Sequence, residues 1–205
     1  MAYSAGGYKT VISLGSTCQT AYQLQRLGLR KFSGPLDWFV TESMDGMVRL
    51  ISHRFAGFME LPRLEVIDAT GECFVVRDKA YDVLSFHDFP LHHTIERWWD
   101  AYPAFKQTLN RRVSRFLQTV PQQGPILFVR TGTERHDAIR LQAALRTLTN
   151  AKFHLLIVNH HQNDRWDVAY ENWGIDGILA VRMPKGADWR GSNEAWNQCL
   201  YAINR

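Results

Sequence analysis

Cys18 is the residue of this chain best placed for nucleophilic chemistry. It follows the apolar run Val11, Ile12 and Leu14, broken by Gly15, and precedes Ala21, Leu24 and Leu27 at helical spacing. It therefore falls in the first turn of a helix that follows a strand, with Ser16 or Thr17 as the cap. Free backbone N–H groups and the positive end of the helix dipole favour a thiolate there, and the thiolate is the nucleophile. A small cysteine packed under the turn is the plain alternative. His87, beside Asp88 at the end of the apolar run 82–86, offers a general base suited to neutral pH. Neighbours on a strand point to opposite faces, so Asp88 can orient the His87 ring only if the strand has already ended. Asp37, presented by the turn that Ser33, Gly34 and Pro35 make, is the other candidate acid.

Further residues are candidates for substrate contact. Amides from Ser16 to Gln19 could receive a developing oxyanion. Trp38, like Trp166, Trp173 and Trp189 in other loops, could line a cleft. Arg130, directly after the apolar run 126–129, could hold an anionic group bidentately, and His160 at the end of the run 153–158 meets the same crevice if the sheet is parallel. No metal is expected, because His160 and His161 point apart, as do His92 and His93, and no HExxH or HxH spacing occurs. No cofactor is expected either: Gly15 stands alone without a GxGxxG fingerprint, and no phosphate-loop signature is present.

These residues need a frame. Short Val-, Ile- and Leu-rich runs at Val11–Leu14, Asp82–Phe86, Ile126–Val129, Phe153–Val158 and Gly177–Val181 alternate with amphipathic segments. That is the pattern of an α/β fold with a mostly parallel central sheet of about five strands and helices on both faces. Ser43 caps a helix carrying Met47, Val48 and Ile51, and a long helical region from about Ile95 to Val120 restarts at Pro103. Its Arg111, Arg112 and Arg115 read as a solvated face. The segment from Leu64 to Lys79 reads as a hairpin or an insertion. With Cys73 in that hairpin and Cys199 beside Trp196 on the apolar face of the last helix, Cys18 is the functional thiol of the three.

Composition narrows the class. The 205 residues, 45% hydrophobic and 12% aromatic, suffice for one sizeable core, so a single α/β domain over 1–205 is expected. A net charge of +4, with 24 Lys and Arg scattered along the chain, argues against nucleic acid and is compatible with an anionic substrate. Three cysteines without CxxC spacing suggest neither a disulfide framework nor a zinc knuckle, and read as a reduced, cytoplasmic chain. No apolar run approaches the roughly 20 residues of a membrane span, and MAYSAGGYKT lacks the apolar core of a signal peptide. Small molecule, peptide and glycan substrates all stay open, as does the oligomeric state.

The run SLGSTCQTAYQLQRLGLRKFSGPLDWFV, FHDF at 86–89 and ILFVRTG at 126–132 together resemble a bacterial family of unknown function labelled "putative papain-like cysteine peptidase". Its pattern is SLGxxC, a helix, a Ser-x-Pro-Phe-Asp-Trp loop, a later His-Asp and an LFVR strand; Leu36 stands here in place of the Phe. The resemblance implies Cys18 as nucleophile, His87 as base, and Asp37 or Asp88 as the orienting acid. In one reading Cys18 attacks a carbonyl in a hydrolase or acyltransferase, the acceptor being water, a sugar hydroxyl or an amine. In the other the chain is a noncatalytic binding module whose Cys18 turn cradles an anionic sugar or nucleotide phosphate, helped by Arg130.

Overall fold

A computed structural model describes residues 7–163 and 165–203. In chain order the elements are β1 (Thr10–Ser13), α1 (Cys18–Arg26), β2 (Phe39–Val40), α2 (Met44–Ser52), β3 (Leu64–Thr70), β4 (Cys73–Asp78), β5 (Val83–Ser85) and α3 (Tyr102–Gln122). They continue with β6 (Ile126–Thr131), α4 (Arg135–Arg146), β7 (Phe153–His160), β8 (Ala169–Glu171), β9 (Ile178–Met183) and α5 (Asn193–Ile203).

Five strands form a sheet of order β1-β6-β7-β9-β8, parallel at every pairing except that of β8 with β9. Alternation along each strand supplies two apolar faces. On one, Val11, Leu127, Val129, Leu156 and Val158 pack against Leu24 of α1 and against Trp196, Cys199 and Leu200 of α5. On the other, Ile12, Phe128, Leu155 and Ile157 pack against Met47 and Leu50 of α2, Phe105 and Phe116 of α3, and Leu141 and Leu145 of α4. The fold is thus α/β, with helices on both faces of a mostly parallel sheet.

One strand departs from the expected arrangement. The run 82–86 becomes β5, which does not join the parallel sheet but a second, antiparallel one of order β2-β5-β4-β3. The reason lies in the connection: β4 passes to β5 through a tight turn, with Asp82 at φ 56° and its N–H donating to the Asp78 carbonyl at 2.8 Å. So short a link closes only an antiparallel pair, since a parallel partner needs a crossover of a dozen residues or more. The fifth place in the main sheet goes instead to the three-residue edge strand β8. Phe39, Phe74, Val76 and Val83 of the second sheet share one apolar cluster with Ile12 and Phe128 of the first, so a common core joins the two.

The hairpin expected between Leu64 and Lys79 is β3–β4. Ser43 caps α2, its Oγ accepting the Gly46 N–H at 3.1 Å. The long helical region divides into a 3-10 segment, Ile95–Ala101, and α3, with Pro103 in the first turn where its missing N–H has no partner to lose. Among the described residues no helix is long and apolar enough to cross a membrane.

Candidate active site

Between β1 and α1 the chain turns on two consecutive left-handed residues, Gly15 (φ 71°) and Ser16 (φ 77°). A Cβ at Gly15 would also lie 3.1 Å from the Leu36 carbonyl oxygen, so this position needs glycine twice over. Ser16 carries a side chain in a conformation that costs about 1 kcal/mol or more, and two bonds to the end of β2 hold it there. Its N–H donates to Thr41 Oγ1 at 3.1 Å, and the Thr41 N–H donates to its carbonyl at 3.0 Å. Thr17 then caps α1, its Oγ1 accepting the Gln19 amide at 3.3 Å, and Cys18 is the first helical residue.

Cys18 Sγ lies 3.7 Å from His87 Nε2. The histidine stands on the loop after β5, anchored beyond it by the Phe74 N–H donating to the carbonyl of buried Phe89 at 2.8 Å. Both side chains line a cavity of about 640 Å³ with Trp38, Phe86, Arg112 and Trp189, a size that fits a small ligand or part of a peptide. Burial pushes the Cys18 thiol above its ordinary value, its own amide pulls it down, and the charges of Asp88 and Asp37 push it up again. The net direction is upward, opposite to what the helix N-terminus alone gives. Cys18 therefore rests as a thiol at neutral pH, with the His87 ring nitrogen in reach of its proton.

Neither candidate acid meets the His87 ring. The strand has ended at Ser85, as orientation by Asp88 requires, but Asp88 Oδ2 turns back to accept the Ser85 hydroxyl at 2.6 Å. Asp37, 1% exposed, holds its own loop: Oδ2 accepts from the Gly34 N–H at 2.9 Å and from Arg30 Nη1 at 2.7 Å. Burial raises its carboxyl, while the Gly34 amide and Arg30 draw it back. The same Arg30 guanidinium lies 5.5 Å over the Trp38 ring, so the acid supports the cavity wall rather than the histidine. Asp37→Asn keeps an acceptor for Gly34 but breaks the ion pair, at an expected cost of about 1–2 kcal/mol. Calorimetry should record a Tm lower by roughly 2–8 °C; an unchanged Tm makes Asp37 a dispensable turn acid.

Four expected substrate contacts do not reach the cavity. Arg130 is 1% exposed, and its Nη1 donates to the Leu14 carbonyl at 2.9 Å and to Thr41 Oγ1 at 2.8 Å, its Nε to Thr133 Oγ1 at 3.1 Å and its Nη2 to the Thr41 carbonyl. With its fork spent on these neutral groups it clamps strand ends together, and burial lowers its pKa to about 10. The Ser16 and Gln19 amides are engaged by Thr41 and Thr17, whereas the amide of Cys18 acts to lower the pKa of its own thiol. The Gln19 side chain runs the other way, its Oε1 3.0 Å from His160 Nε2 and its Nε2 donating to the Trp189 carbonyl at 3.2 Å. His160 is thereby a partner of Gln19, and burial lowers its pKa.

Two cavity residues are placed by contacts that the apolar pattern does not announce. The loop between β9 and α5 lies on α1 through that Gln19 bond and through buried Gln23, whose Nε2 donates to the Arg190 carbonyl at 2.6 Å and to Asn193 Oδ1 at 2.9 Å. This brings Trp189 to the cavity, edge-on to Tyr22 at 5.4 Å. Two buried glutamines four apart on one helix are the available sequence signal, since each must find partners. Arg112, read with its neighbours as a solvated face, turns from α3 into the cavity. Among the described residues no group of three His, Cys, Asp or Glu side chains is arranged to hold a metal.

A thiol facing an imidazole across an open cavity is the arrangement that cysteine hydrolases use. Residues 9–163 match the model of the family described as "Putative papain-like cysteine peptidase", and the chain belongs to that family. It is also similar to an uncharacterized protein of the giant virus Acanthamoeba polyphaga mimivirus, 33% identical over 216 residues that cover 92% of this chain and 96% of that protein. No solved structure matches. Cys18 and His87 fall inside the family span, and Trp189 falls outside it.

Proposed function

We propose that this protein is a cysteine hydrolase of peptides, with Cys18 as nucleophile and His87 as general base. The 3.7 Å separation of Cys18 Sγ and His87 Nε2 carries the reading. His87 takes the thiol proton as sulfur attacks the peptide carbonyl, the Cys18 amide donates to the developing oxyanion, and the imidazolium returns that proton to the departing amine. Water, deprotonated by the same imidazole, then cleaves the thioester and restores the thiol. The raised thiol favours this general-base route over a standing thiolate–imidazolium pair. The binding-module alternative loses its main anion contact, because Arg130 is committed inside the protein.

Iodoacetamide alkylation, mapped by mass spectrometry, tests the pair. Cys18 should react ahead of Cys73 and Cys199, and His87→Ala should slow it about tenfold or more. Asp88→Asn carries a sign: removing a charge that pushes the thiol up should speed alkylation at pH 7.5 about three- to tenfold. A slowing would mean that Asp88 serves His87 after all. Resistance of Cys18 until the protein unfolds would end the hydrolase reading.

A further inference from the structure

We infer that the peptide taken by the Cys18 cavity carries an anionic group, and that Arg112, flanked by Arg111 and Arg115, receives it. This rests on the cysteine-hydrolase reading. Arg112 lines the 640 Å³ cavity with Cys18 and His87, and it also lines an adjoining cleft of about 150 Å³ whose other walls are Ser33, Arg111 and Arg115. One guanidinium is thus common to the reacting pair and to a small basic recess.

Among the described residues no carboxylate is paired with that recess, and none comes within ion-pair distance of the three arginines. Asp37 feels the charge of Arg112 but spends Oδ2 on Arg30 and Gly34, and Asp88 turns to Ser85. Like charges one turn apart on a helix, as at Arg111 and Arg115, repel and cost stability, so an uncompensated group of three stands ready for an external anion. The guanidinium fork matches the two oxygens of a carboxylate or a phosphate, and the Ser33 hydroxyl adds a donor. The remaining cavity walls are the rings of Trp38, Phe86 and Trp189 with Val40 and Thr17, and Asp88, its Oδ2 accepting the Ser85 hydroxyl, lies beside the reacting pair. A substrate that fits both parts has an apolar stretch against these rings and an acidic side chain or phosphoryl group near the carbonyl that Cys18 attacks.

Paired alkylation decides the point. Iodoacetate and iodoacetamide deliver nearly the same group, but only the first is an anion, so the ratio of their rates reads the local potential at the sulfur. Cys73, which like Cys18 feels the charge of Asp88 but lines neither the cavity nor the arginine cleft, is the control within the same molecule. The iodoacetate-to-iodoacetamide ratio should be higher at Cys18 than at Cys73. It should fall about five- to tenfold in the triple variant R111Q/R112Q/R115Q and survive in Arg112→Lys, which keeps the charge. Protection of Cys18 by a capped tripeptide with a central glutamate, but not by its glutamine counterpart, would identify a carboxylate; protection by inorganic phosphate alone would identify a phosphoryl group. A ratio indifferent to the triple substitution makes the arginines a solvated face and overturns the inference, while reactive Cys18 keeps the hydrolase reading. Failure of iodoacetamide to label folded Cys18 overturns both.

Discussion

Cys18→Ser is expected to cut peptide turnover by at least about a thousandfold while leaving the Tm within roughly 1 °C of the parent. The loss follows from the geometry. Among the described residues no carboxylate is bonded to His87: Asp88 is bonded to Ser85, and Asp37 to Arg30 and Gly34. An imidazole without that support can relieve a thiol of its proton, but a serine hydroxyl is a far weaker acid and stays protonated beside it. The small thermal change follows because Cys18 is only partly buried and exchanging one sulfur for one oxygen opens no cavity. Release of new amino groups from a peptide pool measures the first quantity and calorimetry the second. A variant that keeps its turnover and melts several degrees lower would show Cys18 to be a packing residue.

Arg130→Met should produce the largest loss of stability, about 3–5 kcal/mol, or a Tm lower by roughly 10 °C. The substitution preserves much of the side chain's apolar volume but removes every donor it supplies. The Leu14 carbonyl, the Thr41 carbonyl and the hydroxyls of Thr41 and Thr133 all lose a charged partner in a region closed to water. Because Thr41 also holds Ser16 by two bonds, loosening it loosens the left-handed turn that presents Cys18. A substrate-binding arginine would behave differently, with an unchanged Tm and a raised KM, so denaturation and kinetics together separate the roles.

The contrast between Arg130 and Arg112 shows where sequence reasoning stops. An arginine after a buried strand reads as pointing into the crevice, and an arginine among others on a polar helix face reads as solvated. Here the first is sealed under the turn at Thr41, and the second faces the cavity. Local pattern specifies the element but not the packing that decides which way its end faces. For the same reason the runs at 126, 153 and 177, four to six residues rich in Val, Ile and Leu, are legible as parallel strands. The three residues of β5 are legible as a strand but not as a member of a particular sheet, and the two of β2 and three of β8 are too short for any period to show. Cys18 and His87 were legible because each stands beside a strand end marked by glycine or proline. Their approach to 3.7 Å depends on how the two sheets share a core, which no local pattern contains.

The loop that brings Trp189 to the cavity is fastened by Gln19 and Gln23, uncharged amides bonded to backbone carbonyls and to Asn193. Dissolved salt screens separated exposed charges over about 8 Å at physiological ionic strength, but it leaves short bonds between neutral dipoles almost untouched. The cavity wall at Arg112 has a charge and no such protection. In brine the hollow therefore keeps its shape and its aromatic lining while its electrical polarity fades, so that contour and charge, joined in one pocket, answer to different properties of the solvent.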